Sequence, residues 1–176
     1  MLNKIFSLGL IVFSLSLHSA SASNAETAIT EKSFTIYLVR HAEKQLNIKD
    51  PELTTCGHER AAAVANQLKL VNLDKLYSTN FKRTMQTAQP VAINKSLDIT
   101  NYNPKELQLL ATKLKHNHEN AMVVGHSNTT AVLAGLLANQ PLGSFDESIY
   151  NRIYQVVIFK DAVQLNILQQ SFVCSD

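Results

Sequence analysis

Short apolar runs alternate along this chain with longer stretches in which apolar residues recur every three or four positions. Residues 34–39, FTIYLV, are a β-branched and aromatic run of strand length. A polar loop over 41–56 follows. From Gly57 to Leu70 the spacing predicts a helix, with Ala61, Val64, Ala65 and Leu68 on one stripe and Thr54 or Thr55 as its cap. Lys75–Ser78 reads as a short strand. Thr79–Ile93 reads as a helix that Pro90 kinks or shortens. Leu97–Thr100 is a further strand, and Pro104–His116 a helix with Pro in its first turn and Lys113 and Lys115 near its end. Ala121–Val124 is an apolar strand ending at Gly125. Thr129–Ala138 is apolar nearly all round and reads as a buried helix. Ile153–Phe159 and Val163–Leu168 flank Lys160-Asp161 as a hairpin.

Strands alternating with helices imply βαβ units. The expected fold is α/β: a three-layer sandwich whose central sheet is mainly parallel, with helices on both faces and a C-terminal hairpin. Such sheets bind ligands beyond the carboxyl ends of their strands.

Residues 1–22 stand apart from this pattern. Lys4 precedes an apolar run from Ile5 to Leu17, and Ala20-Ser21-Ala22 ends a stretch rich in Ser and Ala. This is the pattern of a secretory signal peptide, with cleavage expected after Ala22 and Ala25 as the second candidate. The run is short for a bilayer span. The expectation is one exported domain over 23–176, periplasmic or secreted, with no stable membrane anchor after cleavage.

Composition narrows the function. Apolar residues make up 45% and charged residues 17%, which excludes a disordered chain. A formal net charge of +2 gives no support for nucleic-acid binding. In an oxidising compartment Cys56 and Cys174 either form one disulfide tying an early loop to the C-terminal tail or remain two thiols.

The chemistry gathers at strand ends. The first strand runs into Arg40-His41, the fourth into Gly125-His126-Ser127, and the second leads through Thr79 and Asn80 to Arg83. Two guanidinium forks suit phosphoryl oxygens. A neutral imidazole can attack phosphorus, and flanking cations keep it neutral. The positive charge is built in, so no metal or other cofactor is called for. His58, His116 and His118 lack the spacing of metal ligands.

Arg40-His41-Ala42-Glu43 resembles the signature of the histidine phosphatase superfamily, the group that includes phosphoglycerate mutases. The family carries Arg-His-Gly where this chain has Arg-His-Ala. Arg-His-Ala-Glu-Lys, at 40–44, is similar to its small bacterial members. Leu53–Gly57 resembles the Leu-Thr-x-x-Gly motif. Ser78–Ala88 resembles Ser-x-x-x-Arg-x-x-x-Thr-Ala with one spacing difference, and Gly125–Asn128 resembles the second histidine motif. The resemblance spans about residues 34–140.

The resemblance implies a phosphoglycerate mutase-like fold and an exported phosphatase that hydrolyses phosphomonoesters or related phosphoryl compounds. By that resemblance His41 becomes phosphohistidine, and Arg40, Arg83 and His126 bind the phosphoryl oxygens. Asn47 falls where many relatives carry an Asn that touches the phosphoryl group. Many relatives also use a carboxylate in a loop after the third strand to protonate the leaving group; Glu43, Glu106, Asp98 and Asp146 are the candidates here. Some small relatives acting on protein phosphohistidine lack this acid. Substrates are expected among small phosphorylated compounds, envelope sugar phosphates included. Residues 139–152 follow a buried helix and are long enough to reach the pocket and shape specificity, although an ordinary loop is the preferred reading of them. Mutase activity fits poorly, because no long insertion encloses a substrate. Two other readings remain: a non-catalytic phosphate-binding module of the cell envelope, and a metal-dependent hydrolase built on the histidines.

Overall fold

The computed structural model describes residues 32–174, so the leader expected over 1–22 lies outside the described residues. Ten elements follow one another: β1 Phe34–Arg40, α1 Thr55–Gln67, β2 Lys75–Ser78, α2 Lys82–Lys95, β3 Ile99–Asn101, α3 Leu107–Asn117, β4 Ala121–Gly125, α4 Thr130–Ala138, β5 Arg152–Phe159 and β6 Ala162–Gln169. They build one six-stranded sheet in the order β3-β2-β4-β1-β5-β6. The first four strands in that order run parallel, and β5 and β6 add an antiparallel hairpin at one edge. The sheet is therefore mixed rather than wholly parallel.

The period-2 alternation of the strands sorts side chains between two cores. Ile36 and Leu38 of β1, with Ala121 and Val123 of β4, pack with Leu110 and Leu114 of α3 and Leu133 and Leu137 of α4. Their neighbours Tyr37, Val39, Met122 and Val124 pack on the other face with Val64 of α1, Leu68 just after it and Val91 of α2. Helices cover both faces, as the continuous apolar runs of β1 and β4 require. Among the described residues, no helix is long and apolar enough to cross a membrane.

Several boundaries differ from the sequence expectation: the first helix runs Thr55–Gln67 rather than Gly57–Leu70 and the third strand Ile99–Asn101 rather than Leu97–Thr100, and three further differences have a clear physical reason. The second helix starts at Lys82, not Thr79, because Ser78 and Thr79 continue the extended chain and are fully buried. Pro90 does not shorten it: the helix runs to Lys95, two residues past the expected Ile93, since Val91 and Ala92 beyond the proline are buried and their packing holds the last turn. Pro104 stands outside its helix. Asn103 accepts from the backbone N–H of Lys105 on its side chain and from that of Glu106 on its carbonyl, and this turn delays the helix to Leu107.

The first helix is capped by Thr54, whose hydroxyl accepts from the Gly57 N–H at 3.1 Å. A Cβ on Gly57 would lie 2.1 Å from the carbonyl oxygen of Glu43, so only glycine lets α1 start this close to the chain leaving β1. Cys56, in that first turn, is disulfide-bonded to Cys174 with the Cα atoms 5.5 Å apart. The bridge closes a loop of sequence separation 118, for which chain entropy predicts about 4 to 5 kcal/mol of stabilisation.

Candidate active site

Parallel pairing of β1 with β4 sets Arg40 beside Gly125, so the two strands end together. The His41 N–H extends this ladder by donating to the Gly125 carbonyl at 2.9 Å. His41 and His126 therefore leave adjacent strand ends, and their ring centroids are 5.5 Å apart. Gly125 is pressed by Thr129 Oγ1 and the Tyr102 hydroxyl, each 2.9 Å from where a Cβ would stand. The backbone of His126 is held by Thr129, whose hydroxyl accepts its N–H at 2.9 Å.

Arg83 enters from the first turn of α2. Its Nη2 lies 3.4 Å from His126 Nδ1. Thr87, one turn later, accepts the Ala42 N–H at 3.0 Å and donates to the Arg83 carbonyl at 2.7 Å, which ties α2 to the segment carrying His41. Arg40 donates from Nη1 to the carbonyls of Glu147 and Ile149, the latter at 3.2 Å, and its guanidinium lies 4.1 Å from the Tyr150 ring centroid. Arg40 Nε and Arg83 Nε are buried with no hydrogen-bond partner. Buried guanidinium donors left unpaired are costly unless an acceptor is brought to them.

Electrostatics follow from this crowding. Burial, then the charges of Arg40, His126 and Arg83, lower the His41 pKa to about 3, against an opposing hydrogen bond from Ala42. Burial followed by Arg83 and Arg40 lowers His126 to about 4. Both imidazoles are neutral at neutral pH. His41 Nδ1 faces the carbonyl oxygen of Ala42 at 2.8 Å; a carbonyl only accepts, so Nδ1 carries the proton and Nε2 keeps its lone pair. The result is a neutral imidazole with a lone pair on Nε2, within the electrostatic reach of two guanidinium groups.

Four of the residues singled out from the sequence, Arg40, His41, Arg83 and His126, thus form one cluster. Others lie elsewhere. Asn47 is exposed at φ 58° on the loop after β1, and it is Asp50 of that loop that approaches Arg83, 3.6 Å from Nη1. Glu43 is occupied by Arg60, whose Nε and Nη2 approach its carboxylate at 2.6 to 2.9 Å. Arg60 also donates to Gln170 Oε1 and the Phe172 carbonyl, so Glu43 serves as an anchor for the C-terminal tail. Glu106 is an exposed residue at the start of α3. Asp98 is exposed just before β3, and Asp146 is exposed with its carboxylate accepting from Ser148.

The sequence reading missed Phe81, Thr79 and Tyr150 as site residues. Phe81 lies with its ring 4.6 Å from the Arg83 guanidinium carbon and edge-on to His126 at 5.3 Å. Tyr150 sits 6.2 Å from His41 between ring centroids. Tyr150 falls within the 139–152 segment, which does reach the site: the Phe145 N–H donates to the Ser127 carbonyl at 3.2 Å. Phe81 and Thr79 carried a weaker signal, their place inside the motif that ends in Arg83.

The family model of the Histidine phosphatase superfamily (branch 1) matches residues 36–103. Phosphoserine phosphatase 1 of Hydrogenobacter thermophilus is 37% identical over 71 residues, a match covering 36% of this chain and 34% of that protein. The chain thus spans about a third of the length of that curated relative. The fold is similar to that of a mycobacterial glucosyl-3-phosphoglycerate phosphatase, with a TM-score of 0.67 and 13% identity over 80% of this chain and 100% of the other. It is similar to the alpha-ribazole phosphatase of Shigella flexneri, with a TM-score of 0.66 and 15% identity over 81% and 100%. It is also similar to the protein histidine phosphatase SixA complexed with tungstate, with a TM-score of 0.62 and 17% identity over 78% and 97%. At these identities the likeness is one of fold, and it agrees with the phosphoglycerate mutase-like architecture implied by the motifs.

Proposed function

We propose that this chain, related to the histidine phosphatase superfamily through residues 36–103, hydrolyses small phosphomonoesters through a phosphohistidine on His41. The observation that carries this reading is the pair of buried, unpartnered guanidinium donors, Arg40 Nε and Arg83 Nε, beside a neutral imidazole whose Nε2 lone pair is free to attack.

In the first step Nε2 forms a bond to phosphorus on the side opposite the leaving oxygen. The P–O bond breaks, and the leaving oxygen departs with the electron pair and takes a proton from solvent. The Nδ1–H bond to Ala42 holds the ring in place and disperses the charge that develops on it. In the second step a water oxygen attacks phosphorus, the N–P bond breaks, and the electron pair returns to Nε2. The water proton passes to solvent, leaving inorganic phosphate and neutral His41. Arg40 and Arg83 stabilise the equatorial oxygens in both steps, and catalysis is mainly placement of charge.

The finer reading concerns place and substrate. Relatives named for phosphoserine and for glucosyl-3-phosphoglycerate support a small phosphorylated substrate, and an envelope sugar phosphate is our choice among these. Export to the periplasm or beyond is supported by the leader pattern of residues 1–22 and by the Cys56–Cys174 bridge.

The test is phosphate release from an aryl phosphate by residues 23–176, in excess EDTA, beside His41→Ala. Chelator-resistant turnover absent from the variant is the expected result. Equal turnover by both proteins would remove His41 as the nucleophile.

A further inference from the structure

Behind His126 runs a chain of hydroxyls that the phosphatase reading does not use. Thr79 Oγ1 lies 3.0 Å from His126 Nε2 and 2.9 Å from Thr84 Oγ1. Thr84 Oγ1 lies 2.8 Å from the Thr79 carbonyl oxygen and 2.9 Å from that of Phe81. Both threonine residues are fully buried.

The direction of each bond follows from chemistry. A guanidinium only donates, so Arg83 Nη2, 3.4 Å from His126 Nδ1, faces a lone pair there. In a neutral ring the other nitrogen, Nε2, then carries the proton and donates to Thr79 Oγ1. Thr79 spends its own proton on Thr84 Oγ1. Thr84 spends its proton on a backbone carbonyl, which can only accept. Every hydroxyl donates once, and the chain ends on acceptors without a conflict.

We propose that Thr79 is a positioning residue: its hydroxyl fixes His126 as the Nε2–H tautomer and so turns the Nδ1 lone pair toward Arg83. Without that hydroxyl the ring is free to carry its proton on Nδ1, where N–H would face N–H and Arg83 would be pushed from its place. The inference concerns the same cluster as the phosphatase reading and rests on it for its effect on turnover. The tautomer itself is measured without turnover.

The experiment combines two-bond ¹H–¹⁵N spectra of the histidine rings at pH 7 with aryl phosphate kinetics, for the wild type, Thr79→Val and Thr79→Ser. In the wild type and Thr79→Ser, His126 is expected as the Nε2–H tautomer. Thr79→Val is expected to lose that preference, with kcat reduced roughly tenfold or more and KM changed less, the scale on which ring-orienting partners act. An Nδ1–H tautomer in the wild type overturns the proposal, and so does Thr79→Val with wild-type spectra and kcat. Should Thr79→Val not fold, the wild-type and Thr79→Ser spectra decide. Should no form release phosphate, the phosphatase reading falls, and the spectra still judge Thr79.

Discussion

His41 gives its Nδ1 proton to the carbonyl of Ala42, the residue that follows it, across 2.8 Å. The ring is thereby held by its own backbone with the lone pair left on Nε2. Burial and the nearby cations keep that lone pair unprotonated far below the usual histidine range, with a pKa of about 3. Turnover is therefore expected to hold a plateau from pH 7 down to pH 5, where an ordinary imidazole, titrating near pH 6.5, would be mostly cationic. A pH–rate profile checks this. An acid limb centred near pH 6.5 would contradict the neutral-nucleophile assignment.

Stability should carry the same signature. The folded state holds His41 and His126 neutral with pKa values of about 3 and 4, while the unfolded chain protonates both near 6.5. The unfolded state thus binds more protons at acid pH. Stability from these groups is full above pH 6.5 and declines as pH falls toward 3. His41→Gln should remove about 2 to 3 kcal/mol of the loss between pH 7 and pH 4.5. Urea unfolding at the two pH values measures it; an identical loss in the variant would count against the depressed pKa.

Arg40 reaches two carbonyls with one nitrogen, and its guanidinium carbon lies over the Tyr150 ring, 4.1 Å from the centroid. A lysine keeps the charge but neither the fork nor the stacking surface. Arg40→Lys is expected to lower kcat/KM on an aryl phosphate by about 100-fold or more, as loss of an oxyanion donor does. Retention of activity within about threefold would show that charge alone suffices.

Glu43 and Arg60 form a largely buried pair, with side chains 18% and 8% exposed. Removing one partner strands the other, at a cost of about 3 kcal/mol. Glu43→Gln should therefore lower the thermal midpoint while kcat of the folded protein stays within a few-fold of wild type. The reverse pattern, unchanged stability with kcat collapsed, would make Glu43 the acid that protonates the leaving group. Calorimetry beside steady-state kinetics separates the two.

The tail depends on the same corner. Reduction of Cys56–Cys174 releases Cys174 from the first turn of α1 and is expected to cost up to about 4 to 5 kcal/mol. Scanning calorimetry with and without a thiol reductant reads this as a lower midpoint, and equal midpoints would show that Arg60 alone holds the tail.

Much of the fold was legible in the chain because its signals are local. The runs FTIYLV and MVV read as buried strands from their length and β-branched content, and each came with a polar or glycine-bearing exit. The errors lay where a tertiary partner outweighed local propensity. Pro90 breaks an isolated helix, yet Val91 and Ala92 sit in a core that carries α2 past it. Thr79 reads as a helix start, yet its hydroxyl is drawn to His126 and Thr84.

The site divides in the same way. That Arg40, His41, Arg83 and His126 come together was legible in the sequence because each ends a strand or comes soon after one, and the ends of parallel strands share one edge. Glu43 looked like a candidate acid only because it is near His41 in the chain. Arg60, 17 positions away, claims it in three dimensions. Tyr150 and Phe81 became site residues through loops that fold back over the arginines. Sequence alone pointed to which groups stand at strand ends, since strand and helix periods follow from apolar spacing, while the strand order that sets β1 beside β4 came from tertiary pairing. Only the tertiary structure decided what each group does there, because hydrogen-bond direction, burial and charge pairing depend on neighbours tens of residues distant.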